Sequence, residues 1–324
     1  MLKKLKFLIK LGIVGMTILF LAIFLHSNLH KGKTVRVSNG ATFSGITSHL
    51  KSRDIIYSSF LFKTFIYFMG DAKSLKSGTY YFPAKSSLWG VYNTLISGKT
   101  SFERMTIPEG LTVQQIVEML EKKDGISGKC PKNLKDGTLL PETYFYDYGI
   151  SCSAIIRQMK NMMTKTVNEV WKNRSKNLIL KSKKELLILA SIVEKETSVA
   201  RERGIVASVF INRLEKGMKL QTDPTVVYAI TKGYGHMRGK PIFLRHLKID
   251  SPYNTYKNYG LPPAPIANPG KASLKASANP SKTSYIFFVA DGTGGHIFAR
   301  TNAEHERNRQ KWRKIKKEKN KPPS

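Results

Sequence analysis

The chain has 324 residues and a formal net charge of +32, from 54 lysines and arginines against 22 acidic residues. Apolar residues make up 41% of it, which supplies a sizeable core and excludes wholesale disorder. This length suggests two domains, or one large domain with appendages. Only two cysteines are present, Cys130 and Cys152, which excludes a disulfide-dense scaffold and a multi-cysteine zinc module. The charge predicts an anionic neighbour: nucleic acid, anionic lipid or an acidic cell-surface polymer.

The N-terminus carries an apolar stretch over residues 7–25, which three lysines precede and Lys10 interrupts. Its length is close to the ~20 residues that a membrane-spanning helix needs. The lysines place residues 1–6 in the cytoplasm, so we predict an uncleaved, single-pass anchor. A cleaved signal peptide is the alternative, but the flank from Phe24 to His30 lacks an Ala-x-Ala pattern. The rest of the chain then lies outside the cytoplasm, which disfavours nucleic acid and leaves a disulfide between the two cysteines open.

A strand–turn–helix pattern recurs in the first third of the chain, over residues 35–50 and 105–120, with a looser copy over 80–95. In each copy an apolar pair spaced i, i+4 is expected to dock the helix on its strand. The candidate N-cap residues are Thr42, Ser87 and Thr112. Generic α+β packing explains this pattern as well as the alternative does, which is a LysM-like module that binds N-acetylglucosamine polymers.

The most informative helix is predicted over residues 186–197, after a capping box that begins at Ser182. It is nearly all apolar until Glu194 and Glu196. On a helical wheel, Glu196 falls among the apolar side chains and Glu194 lies farther from them. A carboxyl among apolar neighbours has a raised pKa, which is the condition for a general acid at neutral pH. The alternative is that both carboxylates lie on the surface, paired with nearby arginines.

Downstream, a second apolar helix is predicted over residues 205–214, followed by polar, tyrosine-rich loops stiffened by proline. Such loops suit a cleft that holds a sugar. The alternative is that their polar and tyrosine side chains only anchor the loops to the core. Residues 285–298 predict a β-hairpin rather than a dinucleotide-binding loop, because no helix begins directly after the glycines. His296 and His305 lack companions at metal-ligand spacing, so no zinc site is expected.

Several segments, in one order, resemble the motifs of the endolytic murein transglycosylase family, whose members are also called YceG-like. These segments are Ile192–Thr197, Phe210–Leu214, Leu220–Thr225, Tyr253–Tyr256, Gly260–Pro263 and Phe288–Gly292. The resemblance extends over about residues 34–315, and the repeated unit and the anchor match the family's LysM-like part and its membrane topology. The sequence departs from the family at Pro262–Pro265, where the family has Pro-Pro-Gly.

The resemblance implies a lytic transglycosylase, a lyase that cleaves peptidoglycan strands between N-acetylmuramic acid and N-acetylglucosamine without hydrolysis and terminates strand elongation. Glu196 corresponds to the family's catalytic carboxyl, which protonates the leaving oxygen. It then takes the proton of the C6 hydroxyl, and a 1,6-anhydro ring closes. This chemistry requires no cofactor and no metal. By position in the motifs, the residues expected to line the glycan cleft are Glu194, Gln221, Thr222, Asp223, Tyr228, Asn254 and Tyr256.

The expected architecture is α+β. A LysM-like module over residues 34–120 follows the anchor, then a YceG-like catalytic domain of helices with an antiparallel sheet over 121–318, and a basic tail over 319–324. The expected partners are peptidoglycan strands, the bilayer and proteins of wall synthesis, at the outer face of the bacterial inner membrane. Two alternatives are a non-catalytic peptidoglycan-binding scaffold and, from charge alone, a cytoplasmic nucleic-acid binder.

Overall fold

The computed structural model describes residues 31–72, 74–98, 100, 102–231, 233–234 and 241–319. These residues form two compact units. Unit 1 comprises the described residues up to Arg104 together with Phe145–Ile150, and unit 2 comprises Met105–Tyr144 and the residues from Ser151 onward. Among the described residues, no helix combines the length and apolar character needed to cross a bilayer. The anchor predicted over 7–25 lies outside them and stays a prediction.

Unit 1 is built from strands, helices and a single apolar core. Its elements are β1 (Lys33–Val37), α1 (Phe43–Ser52), α2 (Ser59–Met69), β2 (Gly78–Phe82) and α3 (Leu88–Ser97). Strands β1 and β2 pair antiparallel, with Val35 opposite Tyr80. The core consists of side chains from all five elements, because each helix turns one apolar face inward.

The N-caps predicted for the repeated pattern are confirmed. Thr42 and Ser87 accept hydrogen bonds from the backbone three residues on, as does Thr112 in unit 2, where Gln115 completes a capping box. The aromatic run of α2 divides between two faces. Phe62 and Phe65 are buried in the core, whereas the remaining aromatic side chains of α2 are exposed.

Unit 2 consists mainly of helices. They are α4 (Val113–Lys122), α5 (Cys152–Lys172), α6 (Lys183–Glu196), α7 (Arg203–Glu215), α8 (Asp223–Thr231), α9 (Lys271–Ala278) and α10 (Asn302–Lys319). Short 3-10 helices cover Ala200–Glu202 and His246–Lys248. The remaining strands of the described residues, some shared with unit 1, are β3 (Phe102–Thr106), β4 (Ile126–Ser127), β5 (Thr143–Asp147), β6 (Ile150–Ser151), β7 (Phe287–Ala290) and β8 (His296–Ala299). Strand β3 pairs with β5, and β4 with β6. The boundary between the units falls within β3, β5 and β6.

Helix α6 lies at the centre of unit 2, packed against α5, α7, α8 and α9. Half of its residues are buried, among them every residue from Ile188 to Val193, because neighbours cover it on several sides. Only half of the predicted capping box forms: Ser182 Oγ accepts from the Glu185 backbone N–H, while the Glu185 carboxylate accepts from Lys181 instead. Residues 161–184 are basic and helical in pattern, but they are not one continuous helix, because α5 ends at Lys172 and α6 begins at Lys183.

Two further features of unit 2 bear on the site. Strands β7 and β8 form the predicted antiparallel hairpin, with Ala290 opposite His296. Cys130 and Cys152 form a disulfide with a Cα–Cα distance of 5.0 Å. The sequence left this pairing open, because a spacing of 22 residues does not predict proximity.

Candidate active site

The site is centred on Glu196, the last residue of α6. Its carboxyl lies among protein atoms, and this burial raises its pKa from 4.5 to about 7. The negative charge of Asp223 acts in the same direction, while a hydrogen bond from Thr222 and the positive charge of Arg213 act against it. A carboxyl with this pKa is half protonated near neutral pH, so it can both donate and accept a proton. The raised pKa agrees with the helical-wheel argument.

A chain of hydrogen bonds runs from Glu196 into the loop after α7. Thr222, whose side chain is buried, donates from Oγ1 to Oε1 of Glu196. The next residue, Asp223, accepts at Oδ1 from the Tyr256 hydroxyl at 2.6 Å. The Thr222 backbone N–H in turn donates to Thr255 Oγ1 at 3.1 Å. The structure therefore brings Glu196, Thr222, Asp223 and Tyr256 into one connected group.

Arg213 on α7 is a buried cation near the carboxyl that the sequence did not single out. Its Nε donates to the Ile286 carbonyl at 2.7 Å, and its Nη1 donates to the Leu220 carbonyl at 2.8 Å. These bonds tie α7 to the hairpin and to the loop that carries Gln221. Gln221 has a φ of +49°, a left-handed conformation that is unfavourable for a residue with a side chain. Its N–H donates to the Thr255 carbonyl at 3.1 Å. The sequence signal that could have identified Arg213 was an arginine within a mostly apolar helix.

Glu194, in contrast, is engaged by the protein itself. Its side chain is 5% exposed, and its Oε2 accepts from the Gly270 backbone N–H at 2.9 Å. Its Oε1 lies 3.8 Å from a guanidinium nitrogen of Arg203, which also pairs with Glu109 at 3.5 Å. The helical wheel placed Glu194 away from the apolar face of its own helix, and it could not show that another loop covers this side.

Two other residues expected in the cleft also have internal partners. Asn254 is fully buried; its amide donates to the carbonyls of Leu247 and Ile249, and its Oδ1 accepts from the Tyr256 N–H. The amide therefore shapes the loop that presents Tyr256. Tyr228 donates to Asp136 at 2.7 Å and, with Asp223, lines a small apolar cavity of 240 Å³.

Glu196 lines two cavities, which we call the first and second arms of the candidate cleft. The first arm of the cleft, of 520 Å³, is lined by Gln221, Asp223 and Tyr256 from the predicted set, together with Arg213 and residues of α10. The second arm, of 300 Å³, is lined by Ser198, the turn of the β7–β8 hairpin, His296 and Trp312. The sequence considered His296 only as a metal ligand, and the described residues contain no cluster suited to hold a metal ion.

Comparisons with known proteins agree on one family. The model of the YceG-like family matches residues 35–311. The chain is 33% identical over 317 residues to a Bacillus subtilis protein named endolytic murein transglycosylase, covering 88% of this chain and 86% of that protein. It is 29% identical over 327 residues to a protein of the same name from Streptococcus pneumoniae, with 87% of this chain but 58% of that protein covered. A crystal structure of a yceG-like protein from Listeria monocytogenes, 31% identical, aligns with a TM-score of 0.52 over 86% of this chain and 99% of its own.

Proposed function

The chain belongs to the YceG-like family, and on this basis we propose that it is an endolytic murein transglycosylase. Its substrate is the glycan strand of peptidoglycan, and the bond it cleaves joins N-acetylmuramic acid to N-acetylglucosamine. The observation that carries the proposal is the carboxyl of Glu196, whose pKa burial raises to about 7 and which lines both arms of the cleft. A group of this kind can act as acid and then as base in one reaction.

The proposed reaction uses that carboxyl twice. Protonated Glu196 donates its proton to the glycosidic oxygen, and the bond to the muramic acid C1 breaks. The resulting carboxylate accepts the proton of the C6 hydroxyl on the same sugar, whose oxygen bonds to C1 and closes a 1,6-anhydro ring. Because the nucleophile belongs to the substrate, its effective concentration is high and no attacking water is needed. The hydrogen bond from Thr222 holds the Glu196 carboxyl in one orientation for both steps.

Asp223 raises the alternative of ordinary hydrolysis, because it is a second carboxylate lining the same cleft. Glycosidases commonly use two such groups, one as acid and one as base or nucleophile. Here Asp223 is engaged by the Tyr256 hydroxyl, and we assign it the electrostatic role of keeping Glu196 protonated near neutral pH. The two mechanisms leave different chain ends, so product analysis separates them.

The shape of the cleft supports cleavage within a strand. Glu196 lines two separate cavities of 520 and 300 Å³, which provide room for sugars on both sides of the scissile bond. A site that accepts only a chain end needs one of these sides closed. Within the proposed cleft, Gln221, Asp223 and Tyr256 contact the glycan in the first arm, while Thr222 and Asn254 act by positioning their neighbours. Tyr228 lines the adjoining apolar cavity. Glu194 is nearly fully buried, so it supports the site without contacting the glycan.

We further infer where the protein works and how its chain is divided. An anchor over residues 7–25, with residues 1–6 in the cytoplasm, would place the described residues at the outer face of the inner membrane. The Cys130–Cys152 disulfide supports an oxidising compartment. We assign residues 34–120 to a LysM-like module, a range that contains the whole core of unit 1, and 121–318 to the catalytic domain. Proteins of wall synthesis are the expected protein partners.

The proposal is tested with purified, uncross-linked glycan strands and mass analysis of the products. The wild-type protein is expected to release fragments that end in 1,6-anhydro-muramic acid, and Glu196→Gln is expected to release none. Glu215→Gln is the matched control, because Glu215 is an exposed carboxylate at the end of α7. Reducing ends in the wild-type products would indicate a hydrolase. Cleavage that persists in Glu196→Gln would contradict the assignment of the acid.

A non-catalytic peptidoglycan-binding scaffold is the second candidate. It predicts glycan binding without any cleavage by the wild-type protein. The raised pKa of Glu196 disfavours this candidate, because a protein that only binds glycan has no need for a proton donor in its cleft.

A further inference from the structure

The second arm of the cleft contains none of the residues that the sequence predicted, apart from Glu196. It is formed by the segment after α6, the turn of the β7–β8 hairpin and Trp312 of α10. Besides Glu196, its polar and aromatic side chains are Thr197, Ser198, His296 and Trp312. This combination of a hydroxyl, an imidazole and a flat aromatic ring is typical of sites that hold sugars.

His296 is held in a defined orientation by a buried carboxylate. Glu202 is 6% exposed, and its Oε1 accepts from the His296 backbone N–H at 3.1 Å. Its Oε2 contacts Nδ1 of the same residue at 2.7 Å. Because a carboxylate only accepts hydrogen bonds, Nδ1 donates, which leaves Nε2 for another partner. Within the described part of the chain, the His296 Nε2 has no hydrogen-bond partner.

The turn beside His296 is preformed rather than loose. The Asp291 carboxylate accepts from the backbone N–H groups of Thr293 and Gly295. A Cβ at Gly295 would lie 2.6 Å from Glu202 Oε1, and one at Gly292 would lie 3.1 Å from the Trp312 ring. The hairpin turn therefore lies directly on the Glu202 carboxylate and on α10, with no space between them for additional side-chain atoms.

We propose that the second arm is a sugar subsite, in which Nε2 of His296 hydrogen-bonds a hydroxyl or acetamido N–H of the glycan and Trp312 packs against a sugar face. This inference rests on the proposed function, because it adds the opposite side of the scissile bond to the residues of the first arm. His296 contacts the substrate directly. Glu202 is a positioning residue, which acts by orienting the ring.

The competing explanation is structural: the Glu202–His296 pair holds the hairpin and does nothing more. Two substitutions separate the explanations, because they retain different halves of the imidazole. His296→Asn retains a donor near the position of Nδ1 and so preserves the bond to Glu202. His296→Gln extends an amide towards the position of Nε2 and so preserves a partner for the glycan.

The experiment measures affinity for purified, uncross-linked glycan strands by calorimetry, with each variant made in a Glu196→Gln background so that no cleavage occurs. We expect His296→Asn to bind about 3- to 10-fold more weakly, the loss of one hydrogen bond, and His296→Gln to stay within about twofold of the parent. Trp312→Leu should also bind more weakly. Thermal unfolding of each variant identifies any loss that is due to misfolding.

Three results would overturn the subsite. Unchanged affinity in His296→Asn and Trp312→Leu is the first. Weaker binding by His296→Gln than by His296→Asn is the second, because it assigns the essential bond to Nδ1. The third is that both histidine variants lose affinity for glycan strands equally and also lose thermal stability equally. None of these affects the lyase proposal, which depends on the products released by the wild-type protein.

Discussion

The raised pKa of Glu196 predicts that this residue destabilises the folded protein at neutral and alkaline pH. In the folded state the carboxyl titrates at about 7, against an ordinary value of 4.5 that we take for the unfolded chain. Between these two values the folded state binds more protons than the unfolded state does. The free energy of unfolding therefore falls as the pH rises through this window.

The magnitude follows from the difference between the two pKa values. A tenfold change in a dissociation constant corresponds to about 1.4 kcal/mol, so the full penalty above pH 7 is about 3 kcal/mol. Glu196→Gln removes this penalty, because its amide does not titrate. Relative to the wild-type protein, the variant should gain about 3 kcal/mol of stability between pH 4 and pH 8.

The assay is urea unfolding of both proteins at a series of pH values from 4 to 9, with a probe that reports on unit 2. A pH-independent offset is expected from the altered hydrogen bond to Thr222, so only the change of the difference with pH is diagnostic. Glu215→Gln serves as the control. Because Glu215 is an exposed carboxylate, the difference in free energy of unfolding between this variant and the wild-type protein should not change with pH. If the stability difference between Glu196→Gln and the wild-type protein does not change with pH, or changes in favour of the wild-type protein as the pH rises, the conclusion that burial raises the pKa of Glu196 is refuted.

Three other predictions concern activity and the framework. Cleavage should decline as the pH rises through about 7, and Asp223→Asn should move this decline to lower pH because a negative charge beside Glu196 is lost. The asparagine can still accept from Tyr256, and an unmoved pH profile would contradict the electrostatic role. Replacing both cysteines with serine should cost about 3 kcal/mol in urea unfolding, because the disulfide closes a loop of 22 residues. A double variant that is also about 3 kcal/mol less stable than the reduced wild-type protein would contradict this, because the disulfide is absent from both. Gly292→Ala should cost about 1–2 kcal/mol in thermal unfolding. Gly294→Ala, also at positive φ but in open space, should cost less, and equal costs would exclude a close contact with α10.

Local features of the fold could be read from the sequence because they depend on neighbours along the chain. The apolar period of α6 and the N-caps of three helices are interactions within a few residues, and they occur where the pattern predicts them. The antiparallel hairpin follows from two apolar runs around a glycine-rich turn. The family follows from ordered motifs, and Glu196 follows from one of those motifs together with its place among apolar side chains.

The partners of those residues depend on contacts between segments that are distant in sequence. Thr222 meets Glu196 across 26 positions, and Glu202 meets His296 across 94. A helical wheel shows one helix alone, so it could not reveal that Arg203 and a loop cover Glu194. The sequence by itself therefore indicated which carboxyl we propose as the acid. Only the tertiary structure decided what surrounds that carboxyl, because burial, and with it the pKa, is a property of all the segments that pack around a group.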